Sequence, residues 1–290
     1  MDAATLKAKQ EKTKLVLSNI YNLPALSGAM LEITRMLDNP NTNSQVLGKI
    51  ISKDQGIATK ILSIANSPLY GLRRKVSTID FAILVIGFTE IKNIILALSL
   101  MESFKNKTDK NLDQKEFWLH SFLSGTASKR IAEEIKYDNP GKAFIVGLLH
   151  DLGIPVIHKY FHTNFLEIIE SVRETGKDYL EAETESLGYN HQEIGSFLSD
   201  KWNLPEAICN AIKYHHTPLK DEVDPKLTGI IHLADYMTQK LKTASFYWDS
   251  NMVFSEEEAS LLGFENMDQV DRFVEGFKII FEEEAKTSIF

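Results

Sequence analysis

The sequence predicts an all-α fold, a multi-helical bundle preceded by an N-terminal helical layer. Three observations carry this. Apolar residues recur three and four positions apart along most of the chain, the spacing that lines one face of a helix. No run of alternating β-branched residues is long enough for a strand. The breaks between periodic stretches are short and rich in Pro, Gly, Asn and Asp, which suits helix–helix connections. The 290 residues, 43% hydrophobic and 25% charged, suffice for one large core or two modest ones.

The elements follow in order. Residues 3–20 have helix-forming composition, with an apolar face only from Leu15, Val16, Leu17 and Ile20. Asn22-Leu23-Pro24 breaks the pattern, and Leu26, Met30, Ile33 and Leu37 mark a helix over 25–37. Ser44 is a candidate N-cap for a helix through Ile51. Residues 56–65 carry Ile57, Ile61, Leu62 and Ile64 on an inner side, and Asn66-Ser67-Pro68-Leu69-Tyr70-Gly71 has strong turn chemistry. Ser77 can cap a helix to Ile86, and Gly87 separates it from another over 89–104. Phe81 to Met101 approaches the composition of a membrane span, for which about 20 apolar residues are needed. Gly87, Thr89, Glu90, Lys92 and Asn93 interrupt it, so it reads as two buried helices. The polar stretch 105–115 is the candidate linker. Further helices are expected over 116–136, from Asn139-Pro140-Gly141 to His150-Asp151, and over 155–175, 178–187, 190–201, 205–215, 224–243, 255–262 and 267–285. The predicted organisation is a helical layer at 1–115, a helical core at 116–240 and an acidic helical extension at 241–290.

The formal net charge of −8 speaks against a nucleic-acid-coating protein, and no direct nucleic-acid binding is expected. The charge is uneven: residues 1–115 hold 16 Lys and Arg against 10 Asp and Glu, the remainder 16 against 30. A solvated lysine-rich first helix accounts for much of the N-terminal excess. Arg73-Arg74-Lys75 reads as a solvated loop. Cys209 is the only cysteine, which excludes an intrachain disulfide and a Cys-based zinc site; it reads as a small core residue. Met1 to Lys14 has no apolar core of the kind a signal peptide carries. The expectation is a cytoplasmic protein without membrane contact.

Chemistry concentrates around Gly147-Leu148-Leu149-His150-Asp151-Leu152-Gly153, an apolar run ending in a His-Asp pair. Burying an imidazole or a carboxylate without a partner costs several kcal/mol, so the pair needs hydrogen bonds, a metal or both. Candidate partners are Glu116 and His120, four apart on one helix, His191 opening a helix, His215-His216 closing one, and Asp235 inside the apolar segment Ile230-Ile231-His232-Leu233-Ala234-Asp235-Tyr236. Imidazole and carboxylate donors together suit zinc, iron or manganese, and carboxylate-bridged metals activate water and clamp phosphate. The same residues also fit a simpler arrangement of core and capping groups joined by hydrogen bonds. His158 and His162 have helical metal-pair spacing but no third ligand nearby, and read as a surface or interfacial pair.

Two sets of residues give the chain a resemblance to the HDOD family, regulatory relatives of the HD-domain metal-dependent phosphohydrolases. One is Asn66-Ser67-Pro68-Leu69-Tyr70-Gly71 with Ile79, Ala82 and Leu84-Val85-Ile86-Gly87. The other is Gly147 to Gly153, His191 with Ile194-Gly195, Trp202 with Leu204-Pro205, and His215-His216. The resemblance covers roughly residues 20 to 240. It implies an HD-domain-like bundle and a role in signal transduction through signalling-protein partners, generally without catalysis. Glu116, His120, His150, Asp151, His191, His215, His216 and Asp235 also fall in the order of the metal ligands of the HD-GYP cyclic dinucleotide phosphodiesterases. That likeness implies a divalent metal (iron, manganese or zinc) and, as the alternative function, hydrolysis of a nucleotide or cyclic dinucleotide with His150 and Asp151 at the centre. The chain departs from that branch twice. Ile154 stands where the branch has a lysine, and Thr217-Pro218-Leu219-Lys220 lacks its glycine-tyrosine-proline signature. Both departures favour the regulatory reading, because phosphate charge would lack its designated partners. A helical scaffold with a metal-free site is the third reading.

Overall fold

The computed structural model describes residues 2–20, 36, 39, 42–66, 72, 74–104, 111–244, 246, 248 and 251–287, with the side chains at 89, 93, 96, 97, 99–101, 103, 284 and 287 excepted. No strand occurs among them. The helices are α1 (Ala3–Ser18), α2 (Ser44–Ile51), α3 (Gln55–Ala65), α4 (Ile79–Ile86), α5 (Phe88–Ser103) and α6 (Gln114–Glu134). Then come α7 (Pro140–Leu149), α8 (Gly153–Tyr160), α9 (His162–Thr175), α10 (Tyr179–Leu187) and α11 (His191–Lys201). The last are α12 (Glu206–Tyr214), a 3-10 turn at Pro218–Lys220, α13 (Pro225–Leu241), α14 (Glu256–Leu261), α15 (Met267–Gly276) and α16 (Lys278–Thr287). The helix expected over 25–37 (Met36 apart), the turn residues Ser67 to Gly71, Arg73 and most of the expected linker lie outside the described residues.

Contacts divide the chain into two compact units, Met1–Asn22 with Asn106–Val274, and Leu23–Lys105 with Glu275–Phe290. The sequence placed its divisions at 115 and 240 instead. The difference at the N-terminus has a local cause, because α1 is tied to the end of α10. The Thr13 hydroxyl donates to the Leu187 carbonyl at 2.7 Å and the Gln10 amide to the Gly188 carbonyl at 3.1 Å.

Leu23–Lys105 with Glu275–Phe290 packs Leu47, Ile51, Ile57, Ile61, Ile83, Ile91 and Phe281 inside. Its turn after α3 is closed by one side chain. Asn66 donates to the carbonyls of Leu62 (2.7 Å) and Val76 (2.8 Å) and accepts from the Val76 N–H (2.7 Å). Gly87, at φ +94°, separates α4 from α5 as expected. The caps fall one position from two expected ones. Asn43, not Ser44, caps α2, and Thr78, not Ser77, precedes α4 without a side-chain cap bond.

In Met1–Asn22 with Asn106–Val274, α6 and α7 lie close enough that small residues are required between them. A Cβ on Gly147 would stand 2.4 Å from Ser128 Oγ and 2.8 Å from the Ser124 carbonyl. Pro140–Tyr160 has the length and mean hydropathy (1.3) of a membrane span, but 83% of that window is buried inside the fold. It is core. The helix expected over 155–175 is two, α8 and α9, divided at Phe161, whose ring is buried. Ile157, Phe161, Phe165 and Ile168 are all buried, so the apolar spacing runs straight through the break. The expected 267–285 helix divides similarly at Phe277.

Candidate metal centre

The site lies where helix ends meet the middles of two long helices. His120 projects from α6 and Asp235 from α13. His150 is the C-cap of α7, and with Asp151 it forms the corner before α8 starts at Gly153. His191 is the first residue of α11, capped by Asn190 in a reciprocal box with Glu193. His215 is the C-cap of α12, followed by His216. His120, His150, Asp151, His191, His215 and Asp235 are all at most 2% exposed, and His216 is half-buried.

The side chains converge. Asp151 Oδ2 stands 3.2 Å from His150 Nε2 and 3.4 Å from His120 Nε2, while its Oδ1 stands 3.4 Å from His215 Nε2 and 3.5 Å from His191 Nε2. Asp235 Oδ1 is 3.4 Å from His120 Nε2 and its Oδ2 is 3.8 Å from His150 Nε2. His216 Nε2 faces His191 Nε2 at 3.3 Å, and the Nε2 atoms of His120 and His150 are 3.4 Å apart. Three overlapping groups could each hold a cation: His120, His150 and Asp235; His150, Asp151 and His215; and His191, His215 and His216.

Outward hydrogen bonds fix the rings. His150 Nδ1–H donates to the Gly147 carbonyl and His215 Nδ1–H to the Ile212 carbonyl, both at 2.7 Å. His191 Nδ1–H donates to Glu183 at 2.9 Å. The Thr238 hydroxyl donates to the Asp235 carbonyl at 2.7 Å, so at 3.2 Å it accepts from His120 Nδ1–H. Each ring therefore keeps its proton on Nδ1 and turns Nε2 inward, the orientation that metal ligation requires. Four inward atoms, Asp151 Oδ1 and Oδ2, Asp235 Oδ2 and His215 Nε2, are buried and make no hydrogen bond.

The electrostatics of the metal-free chain follow from this crowding. Burial would depress His150, but the Asp151 charge beside it outweighs burial and pushes it up to about 9. Burial would raise Asp151; the His150 charge and the imidazoles of His120 and His215 hold it well below the usual carboxylate range. Burial, then the His216 charge, pushes His215 down to about 3, and burial, then His191, does the same to His216.

The remaining sequence candidates sit elsewhere. Glu116, half-buried one turn before His120, belongs to none of the three groups among the described residues. His158 is buried against the Phe165 ring at 4.8 Å, so the surface reading of His158 and His162 holds only for exposed His162. Cys209 is a free, buried thiol pushed up to about 11, chiefly by burial. Three supporting residues escaped the sequence reading: Thr238, Glu183 and His232, whose Nδ1–H donates to the His215 carbonyl at 2.7 Å. Glu183 carried a signal. It occupies the buried face of α10 with Tyr179, Ala182 and Leu187, an acidic residue in an apolar register.

The family model for the HDOD domain matches residues 23–218. The chain belongs to the HDOD family. Asp235 and Thr238 lie beyond the matched HDOD segment. An uncharacterised protein of Treponema pallidum (strain Nichols) is 26% identical over 215 residues, which are 73% of this chain and 41% of that protein. The chain thus spans about two-fifths of that relative's length. Among solved structures, an HDOD domain protein of unknown function from Geobacter sulfurreducens aligns at a TM-score of 0.79 and 22% identity, covering 98% of this chain and 99% of that one. A candidate phosphohydrolase from Shewanella amazonensis SB2B aligns at 0.70 and 21%, covering 98% of each. These likenesses share the helical HDOD fold.

Proposed function

We propose that this chain is a regulatory HDOD module whose His/Asp cluster holds divalent metal as a structural or sensing centre, and which acts through contacts with signalling proteins. The observation that carries the metal reading is the set of buried, unbonded, inward-facing atoms on Asp151, Asp235 and His215. Leaving such groups bare costs about 1–3 kcal/mol each, more when charged. A cation removes that cost. Donor atoms about 2.0–2.2 Å from a shared cation stand roughly 3.0–3.5 Å apart, the spacing found between Asp151 and its four imidazoles. Asp151 divides its oxygens between two pairs of histidines, which suits a carboxylate bridging two metals. The convergence of the rings counts against the metal-free scaffold.

Two features support regulation over turnover. Ile154 is fully buried, so the position where the phosphodiesterases have a lysine supplies apolar packing and no cation to a phosphate. The cluster is also closed, with only His216 partly exposed. Elemental analysis of protein purified without chelators tests the metal reading, with one or more iron, manganese or zinc ions per chain expected. Metal-dependent hydrolysis of a nucleotide or cyclic dinucleotide, abolished in Asp151→Ala, would overturn the non-catalytic part in favour of a metal-dependent phosphohydrolase. That second reading is favoured by the presence of both imidazole pairs around Asp151.

A further inference from the structure

We propose that Glu183 is the positioning residue for His191, and that Trp248 locks Glu183 in place. Glu183 is fully buried on α10, eight residues before His191. Both of its oxygens are used. Oε2 accepts the His191 backbone N–H at 2.8 Å and His191 Nδ1–H at 2.9 Å. Oε1 lies 3.1 Å from the same Nδ1 and accepts the Trp248 indole N–H at 2.7 Å. One carboxylate therefore holds both the backbone and the ring of His191. A ring held from its own backbone and its own Nδ1 has little freedom to turn, and its Nε2 is left facing Asp151 and His216.

Trp248 is itself fixed. Its ring stacks on Phe165 at 5.1 Å and on Tyr179 at 4.2 Å, and it is buried. Tyr179 lies on the same helix as Glu183, one turn earlier. The stack therefore sets the indole N–H against Oε1 and leaves Glu183 one orientation. A neutral amide cannot reproduce this arrangement, because its NH2 would face an N–H donor whichever way it turned. With two donors at one oxygen and one at the other, at least one N–H would lose its acceptor.

The inference rests on the metal reading for its purpose but not for its geometry, and the experiment separates the two. Metal-free protein, labelled with 15N-histidine, reports the His191 tautomer by two-bond proton–nitrogen correlation. Manganese(II) alone, titrated by calorimetry, reports the centre. Wild type is expected to show a protonated Nδ1 and an unprotonated Nε2 on His191. Glu183→Gln should redistribute that proton and lower manganese affinity on the order of 10–100-fold. Trp248→Phe keeps the stacking ring and removes only the N–H, so it should lower affinity less. In the double variant the amide NH2 faces a phenyl ring instead of a donor, so the combined loss should be smaller than the product of the two single losses. A purely structural Glu183 would leave the tautomer unchanged. Folded Glu183→Gln with the wild-type tautomer and manganese affinity within twofold overturns the proposal. If Glu183→Gln does not fold, Trp248→Phe decides, and unchanged His191 shifts and affinity overturn it. If wild type takes up no manganese while the tautomer still responds, the metal reading fails and the positioning role stands.

Discussion

Gly153→Ala tests whether the site depends on the contact between α8 and α11. A Cβ at Gly153 would lie 2.0 Å from the His191 carbonyl oxygen, 2.6 Å from its carbon and 2.7 Å from its Cα. Contacts under 3.0 Å are essentially never made, so the two backbones must part by about 1 Å. No side chain can swing aside, because every atom struck is backbone. Overpacking costs about 1–3 kcal/mol where side chains can adjust, so about 3 kcal/mol or more is expected here. For a folding unit of this size each kcal/mol lowers Tm by roughly 2–4 °C, which gives a fall of about 6–12 °C. The displaced residue is a proposed ligand. His191 Nε2 now stands 3.5 Å from Asp151 Oδ1 and 3.3 Å from His216 Nε2, and a shift of about 1 Å spoils both relations. Manganese affinity should fall at least about tenfold. Thermal unfolding of metal-free protein and calorimetric titration on the same preparations measure both. Gly176→Ala is the control: at φ +68° with nothing within 4 Å, its Cβ brings backbone strain of about 1 kcal/mol and no clash. A Gly153→Ala protein that melts within 2 °C of wild type and binds manganese normally would refute the argument.

Other outcomes follow from single groups. Manganese(II) at about a hundred times its Kd should stabilise the metal-free protein by about 2.7 kcal/mol in thermal unfolding, and Asp151→Ala should abolish that gain. Asn66→Ala leaves both backbone groups of Val76 without their side-chain partner and should cost about 1–3 kcal/mol in urea unfolding. Asp224 caps α13 and accepts from the Tyr137 hydroxyl at 2.7 Å and the Lys142 ammonium at 3.0 Å. Burial would raise its carboxyl, but Tyr137 and Lys142 outweigh burial and hold it below its ordinary 3.8. A depressed carboxyl adds stability above its unfolded value and loses it as pH falls through the folded one. Asp224→Asn should therefore cost about 1 kcal/mol at pH 7, with the gap closing below about pH 3.8 in paired urea titrations.

The helices were legible because a three-to-four-residue apolar period is a direct consequence of burying one helical face. Their ends were less so. Phe161 interrupts the helical hydrogen bonding without interrupting the apolar period, so no pattern could have divided α8 from α9. Asn43 and Ser44 are both good capping residues, and side-chain chemistry alone does not choose between neighbours. The candidate ligands were legible as costly polar groups in apolar surroundings, and His120, His150, Asp151, His191, His215, His216 and Asp235 do come together. Glu116 satisfied the same helical spacing, yet i,i+4 placement fixes only a shared face, not the depth at which a side chain ends. His158 shows the reverse error: without a third ligand nearby the pair reads as surface or interfacial, while the register of His158 turns it toward Phe165.

The four fixed imidazoles divide by how far away their acceptor comes from, and this decides which part of the site is vulnerable. His150 and His215 each follow the last residue of a helix and donate to a carbonyl three residues earlier, at Gly147 and Ile212. Helix ends leave such carbonyls free, so the same bond satisfies the helix and sets the tautomer. These two ligands need no side chain from elsewhere. His120 lies inside α6 and His191 opens α11, and both borrow side-chain acceptors, from Thr238 and Glu183, 118 and 8 residues away. Substitution can therefore remove the acceptor of His120 while leaving its ring, its helix and the other ligands in place. Thr238→Val keeps the shape and loses the hydroxyl. It should lower manganese affinity by about tenfold while changing unfolding free energy by about 1 kcal/mol. In 15N-histidine spectra of metal-free protein the His120 signals should move and those of His150 should not. Unchanged affinity with unmoved His120 signals would show that packing against Phe246, whose ring lies 5.4 Å from His120, orients that ring without Thr238.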